Sequence, residues 1–294
     1  MIVSAPAKIN LTLEVVELES NGYHALDTIF CWLDLEDTLK LEKAEETSLR
    51  MTSDVVDLAE VGRDENNLVL KALRATEKAA GRTLPTRLEL VKRIPSGGGL
   101  GGGSADAAAT LFGLNVLHGL GLSQEQMMEL ARPLGADVAF GLVGGAARGT
   151  RYGDVLEPCS LKTDIWNLQL VLVMPDFGCP TPAVYKLWDE NPSNPAKGCS
   201  ERFLQARSAE EQLGLVANDL EEPAFLLRPE LREYKKLMSE AGLWGVCLSG
   251  SGSTLFGFLP PALKKQDITG RLSHLPARFT FTKLKESNRF GLVS

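Results

Sequence analysis

A chain of 294 residues suggests about two domains of ordinary size, and 44% hydrophobic with 23% charged residues fits a globular protein. The formal net charge of −7 argues against a general polyanion binder, because affinity for a phosphate backbone needs clustered Lys and Arg. Five scattered cysteines (Cys31, Cys159, Cys179, Cys199, Cys247) include no C-x-x-C pair, which predicts reduced thiols rather than disulfides or a zinc site.

At the start of the chain Lys8 and Glu14 interrupt the apolar residues, so no export leader is expected. No run reaches the roughly 18 apolar residues of a membrane span. The expectation is a cytoplasmic protein with a small-molecule partner, no nucleic acid and no membrane, as a monomer or homodimer. Ile9, Leu11 and Leu13 alternate with Asn10, Thr12 and Glu14, which predicts a strand. Asn21-Gly22 is a turn before a second apolar stretch at 29–33. Residues 67–80 predict a helix stopped by Gly81, and Leu88 and Leu90 a short strand ending at Lys92. Residues 104–118 predict an Ala/Leu-rich helix, and Ser123 with Gln126 a capping box opening another that closes at Gly135. A buried strand is expected at 168–174, an exposed loop at 191–200, and helices at 213–227 and 229–241. A strand into Ser249, another from Thr254, then helix and strand complete an α+β pattern. Its expected domain boundary lies near residue 160, giving 1–160 and 161–294.

Four segments carry chemistry. Between Pro95 and Ser104, Gly97, Gly98, Gly99, Gly101, Gly102 and Gly103 surround Leu100. Glycine loses the most backbone entropy on folding, so such density is expected where the backbone approaches a ligand. The run leads into a helix whose free N–H groups favour an anion, and a phosphate chain is the usual one. No Gly-Lys-Ser/Thr ends it, so it is not a Walker A loop, and a flexible linker is the bland alternative. Lys8 and Asn10 share one face of the first strand; Lys8 either reaches an anion or is a solvated edge-strand lysine. Asp137, between helical patterns, is either an N-cap or a catalytic carboxylate. The loop Ser249-Gly250-Ser251-Gly252 either closes a hairpin or offers N–H and hydroxyl donors to a ligand.

The order of these segments resembles the GHMP kinase superfamily, carried by APAKINLTLEV, NGYHALDT, ENNLVLKAL, KRIPSGGGLGGGSADAA, LGADVAF, PTPAVYK and LSGSGSTLF. The NGYH stretch and the paired triple glycines point to the branch whose acceptor is 4-diphosphocytidyl-2-C-methyl-D-erythritol, in the non-mevalonate isoprenoid pathway. The resemblance implies a ribosomal protein S5 domain 2-like N-terminal domain and a ferredoxin-like C-terminal domain, with the active site in the cleft. It implies ATP as phosphoryl donor, with Mg2+ expected and Ser104 a possible ligand.

By the same resemblance, Lys8 and Asp137 are the catalytic pair, with Asp137 orienting the attacking hydroxyl and Lys8 steadying developing charge. Asn67, Leu68 and the backbone around Lys92 would seat adenine. Asn10 would contact the acceptor's polyol, and Tyr23 and His24 its cytosine. Thr181, Pro182 and Tyr185 would form the far wall, with Tyr185 completing an aromatic sandwich. Ala139 stands where the family usually has Pro, and Ala105 where a second Ser often follows the glycines. A kinase for mevalonate, homoserine or a sugar, or a non-catalytic nucleotide sensor, would be the competing assignments.

Overall fold

The structure is a computed structural model that describes residues 1–58, 62, 65–287, 290 and 292–293. Strands β1 (Ile2–Leu18) and β2 (His24–Lys43) form a long antiparallel hairpin through the Asn21-Gly22 turn. β3 (Ser48–Thr52), α1 (Leu68–Ala80) and β4 (Thr86–Val91) follow. Next come α2 (Gly102–Leu117), α3 (Gln124–Ala131), α4 (Ala136–Val143), β5 (Ala146–Arg151) and β6 (Val155–Pro158). The first half of β2 pairs with β5 and the second half with β4, so one strand serves two parts of the sheet. α1 begins where Asn67 accepts from Val69 N at 2.8 Å and ends at left-handed Gly81, as the sequence predicts. The Ser123–Gln126 capping box is also present, but α3 stops at Ala131 and a 3-10 turn over Arg132–Leu134 carries the chain to Gly135. Pro133 cannot donate the backbone bond that would continue the helix.

α5 (Thr163–Asn167) precedes β7 (Gln169–Pro175), α6 (Thr181–Glu190), α7 (Cys199–Gln205) and α8 (Ala209–Gly214). Then come β8 (Ala217–Asn218), α9 (Glu221–Leu227), α10 (Glu230–Glu240), β9 (Trp244–Leu248) and β10 (Leu255–Leu259). α11 (Lys265–Leu272), β11 (Ala277–Lys283) and β12 (Leu292–Val293) end the chain. The second sheet runs β11-β7-β10-β9, which is strand order 4-1-3-2 of its own chain sequence, the ferredoxin-like arrangement. β8 and β12 leave that half to pair with β1 in the eight-stranded sheet.

The predicted helix 213–227 is instead α8, β8 and α9. Asn218 Oδ1 accepts from Leu220 N at 2.9 Å, and the Asp219 carboxylate accepts from Val15 N and Ala196 N, both at 2.8 Å. Such side-chain bonds to nearby backbone compete with a helix. Residues 191–195 and 197 form the exposed loop expected at 191–200, but the same contacts tie down its later part. Ala196, Cys199 and Ser200 are buried, and the Ser200 hydroxyl shares a 2.8 Å hydrogen bond with Thr12.

β1 is where the two halves meet. Ala7, Ile9 and Leu11 pack against Leu170, Leu172, Phe256 and Phe258 of the second sheet. Each fully buried Ile or Leu stabilises by about 1.5–3 kcal/mol over its exposed form. The opposite face of β1 holds Lys8, Asn10 and Thr12, and all three are buried too. Lys8 is therefore not a solvated edge lysine. No helix among the described residues is long and apolar enough to cross a membrane, and the five cysteines are free thiols.

Candidate active site

Two cavities meet at the glycine run. One, of about 460 Å3, is lined by residues 95–104 together with Asn67, Leu68 and Lys92. The other, of about 580 Å3, holds Lys8, Asn10, Asp137, Thr181 and Tyr185. Gly97 and Gly99 line both. The run is no flexible tether. Lys8 N donates to Leu100 O at 2.9 Å, Thr254 N to Gly98 O at 3.1 Å, and Ser249 Oγ to Gly99 O at 2.9 Å. Those bonds dock the first glycine loop on β1 and on the second loop, residues 249–252. Gly101 has a φ of 68°, and a Cβ there would lie 3.0 Å from Lys8 Cγ and 3.4 Å from Asp137 Oδ2. Only glycine lets the loop backbone come this close in that conformation.

Lys8 Nζ lies 3.5 Å from Asp137 Oδ2 and donates to Asn10 Oδ1 at 2.8 Å. Asn10 Nδ2 in turn donates to Thr28 Oγ1 at 2.8 Å. Asn10 thus lines the second cavity while holding the ammonium in place. Asp137 lies in the first turn of α4, whose N-cap is Gly135, so the carboxylate is not the cap. Its side chain stays 32% exposed, which leaves the carboxylate open to the cavity.

Beneath the first cavity, Lys92 Nζ donates to Asp106 Oδ2 at 2.7 Å and to Asp37 Oδ2, while Asp37 Oδ1 accepts from Ile94 N at 2.9 Å. Burial works against the Lys92 charge, but the two carboxylates outweigh it and raise its pKa. Burial pushes the Asp106 carboxyl up to about 7, against the pull of Lys92 and with the help of Asp37. Between pH 3.8 and about 7 the folded protein therefore holds a proton on Asp106 that the unfolded chain has lost. This group's contribution to stability falls as pH rises from 3.8 to about 7. Asp219, raised by burial to about 6, adds a slope of the same sign. Asp106→Asn is expected to shrink the fall in urea midpoint across that window, and an unchanged slope would assign it elsewhere.

In the larger cavity, burial raises the phenol of Tyr185, with the Asp137 charge adding to the effect. Its ring lies 4.6 Å from His24, whose Nε2 meets Asp189 Oδ1 at 2.7 Å. Tyr23 is 65% exposed and pairs with Tyr152 at 5.5 Å rather than sandwiching with Tyr185. Neither Tyr23 nor His24 lines the second cavity, whereas Tyr152 does; Thr181 lines it too, with Pro180 rather than Pro182 beside it. Thr181 Oγ1 and Ser251 Oγ share a 2.8 Å hydrogen bond, and Gly250 sits where a Cβ would be 3.2 Å from Lys8 Nζ. Ser104 lines the first cavity.

Sequence reasoning missed Asn218, whose Nδ2 donates to Leu248 O at 2.9 Å and Gly250 O at 2.8 Å and so shapes the second loop. It also missed Asp37, Asp106, Tyr152 and Asp189, and Arg228, which lines the larger cavity. The Asn218-Asp219 pair was a readable turn signal inside an apolar pattern; the others gave none, because their partners are distant in sequence.

Two family models match the chain: the GHMP kinases N terminal domain over residues 67–147 and the GHMP kinases C terminal domain over 201–274. A 4-diphosphocytidyl-2-C-methyl-D-erythritol kinase from Salinispora arenicola is 36% identical over 280 residues, covering 93% of this chain and 88% of the relative. One from Rhodospirillum rubrum is 39% identical over 258 residues, covering 87% and 83%. A solved 4-(cytidine 5'-diphospho)-2C-methyl-D-erythritol kinase superposes with a TM-score of 0.76 at 35% identity, covering 97% and 99%. A homoserine kinase from Cytophaga hutchinsonii superposes with a TM-score of 0.74 at 20% identity, covering 98% and 96%, a likeness of fold alone.

Proposed function

The chain belongs to the GHMP kinases, in the branch of the 4-diphosphocytidyl-2-C-methyl-D-erythritol kinases, and from that premise we infer its reaction and the roles of its residues. It is a kinase that transfers the γ-phosphate of ATP to the 2-hydroxyl of 4-diphosphocytidyl-2-C-methyl-D-erythritol, a step toward isoprenoid precursors. The observation that carries the site assignment is the junction at Gly101, where the glycine loop comes so close to Lys8 and Asp137 that a Cβ would meet both. A donor phosphate cradled by the loop and an acceptor hydroxyl beside Asp137 would face each other there.

Phosphoryl transfer asks little covalent chemistry of the protein; positioning and charge stabilisation carry it. Residues 97–104 present backbone N–H groups and the N-terminus of α2 to the phosphates. Asn67, Leu68 and the Lys92 backbone line the same cavity and seat the base. Asp137 orients the 2-hydroxyl and takes its proton as the new O–P bond forms and the bond to the leaving ADP breaks. Lys8, steadied by Asn10, balances the charge that builds on the transferring oxygens. No group of three or more His, Cys, Asp or Glu among the described residues could cage a metal ion. Mg2+ is commonly held by substrate phosphates and water with few protein ligands. Ser104 would be its protein contact, and the ion would neutralise phosphate charge.

Tyr185, packed on His24, and Tyr152, paired with Tyr23, are the groups for the cytidine end, with Thr181 and Pro180 at the wall. The Lys8–Asp137 pair argues against a non-catalytic sensor. The test is a phosphoryl-transfer assay over a panel of 4-diphosphocytidyl-2-C-methyl-D-erythritol, mevalonate, homoserine and galactose. Turnover is expected with the first; turnover only with another acceptor would sink the assignment.

A further inference from the structure

We propose that Arg228 is the counter-charge that holds the diphosphate of the acceptor, an inference that rests on the acceptor assigned above. Three observations converge on it. First, apart from Lys8 and Asp137, Arg228 is the one charged side chain lining the larger cavity. Lys8 and Asp137 are paired with each other and belong to the reacting end. An acceptor carrying two phosphates brings negative charge that the cavity must meet elsewhere, because a desolvated, unpaired charge is costly.

Second, the guanidinium is not committed to another carboxylate. Arg228 forms no ion pair among the described residues; it lies over the Phe177 ring at 5.2 Å. Its Nε donates to Gly178 O at 3.4 Å, the long end of the hydrogen-bond range. That contact and the ring hold the side chain at the cavity without using the two terminal nitrogens. The planar fork suits a phosphate, which it can meet through two parallel N–H bonds.

Third, the surroundings favour an anion. Gly178 leads into α6, which has no side-chain cap and no acidic residue in its first turn. Thr181 and Ser251, bonded to each other at 2.8 Å, add hydroxyls at the same wall. Arg228 itself sits at the C-terminal end of α9, on a different element from every residue of the phosphate loop. The charges for donor and acceptor thus come from separate parts of the fold. Arg228 acts on binding of the acceptor and not on the chemical step.

The test uses the full chain with the donor site filled by saturating ADP, and compares CDP with cytidine by titration calorimetry. Wild-type protein should bind CDP more tightly than cytidine. Arg228→Gln should weaken CDP by about tenfold, the typical worth of one charge-assisted contact, and leave cytidine within about twofold. Arg228→Lys should recover part of the loss, since it restores the charge without the fork. In steady-state kinetics the KM for the acceptor should rise for Arg228→Gln while the KM for ATP stays unchanged. Equal weakening of CDP and cytidine would make Arg228 a scaffold residue, and a raised KM for ATP would move it to the donor; either result overturns the proposal. If wild-type protein bound neither ligand, the acceptor assignment itself would fall.

Discussion

Asp137→Asn is expected to lower kcat by about 10²–10⁴-fold, the range for loss of a positioned acid–base group. Asparagine keeps the shape, so the first turn of α4 and its Gly135 cap should persist. What disappears is the negative charge opposite Lys8 and the acceptor for the hydroxyl proton. With the donor placed as proposed, ATP lies across the loop from this side chain, so ATP affinity should stay within about twofold, the pattern of an interaction made chiefly in the transition state. Single-turnover kinetics with a separate ATP-binding titration distinguish the two effects. Unchanged kcat would demote the carboxylate to a structural role, and lost ATP affinity would mean that it shapes the donor site.

Gly99→Ala should be the most damaging change in the phosphate loop. Its φ of 77° costs an alanine about 1–2 kcal/mol. A Cβ there would also stand 2.0 Å from Ser249 O and 3.2 Å from Gly252 N. Those are backbone atoms of the second loop, so no side chain can swing aside. The two loops must part, and a displacement near 1 Å at the reacting centre costs about 10²-fold in rate. The expected result is a loss of about that size in kcat/KM for ATP, with a lowered melting temperature. Gly103→Ala should lose far less, because its Cβ meets only Leu68 Cδ1 at 3.5 Å. Comparable losses in the two variants would show that general stiffening, and not the contact with the second loop, sets the requirement for glycine.

The strands and most helices were legible because their signals are local. Alternation marked β1, Asn67 and Gly81 bounded α1, and Ser123 with Gln126 opened α3. The reading failed where distant partners decided. An apolar pattern over 213–227 looked helical, yet Asp219 spends its carboxylate on Val15 and Ala196, and the helix breaks around it. The segment 191–200 is an exposed loop at its start, as its turn residues predict, but Gly198 and Ser200 at its end bond side chains of β1.

The sequence by itself determined the glycine loop and the family. Consecutive glycines before an Ala-rich helix have a chemistry that needs no distant partner. The quoted motifs named the branch and placed Lys8 and Asp137 in it, although Lys8 alone could have been a solvated lysine. Only the tertiary structure decided that β1 is buried on both faces, which turns Lys8 inward, 3.5 Å from Asp137. Only it brought the loop at 249–252 onto Gly99, placed Asp37 and Asp106 around Lys92, and set Arg228 at the larger cavity. Backbone conformation and phosphate affinity are written in neighbouring residues. The pairing of charges depends on burial and on chain crossings that span up to the whole fold.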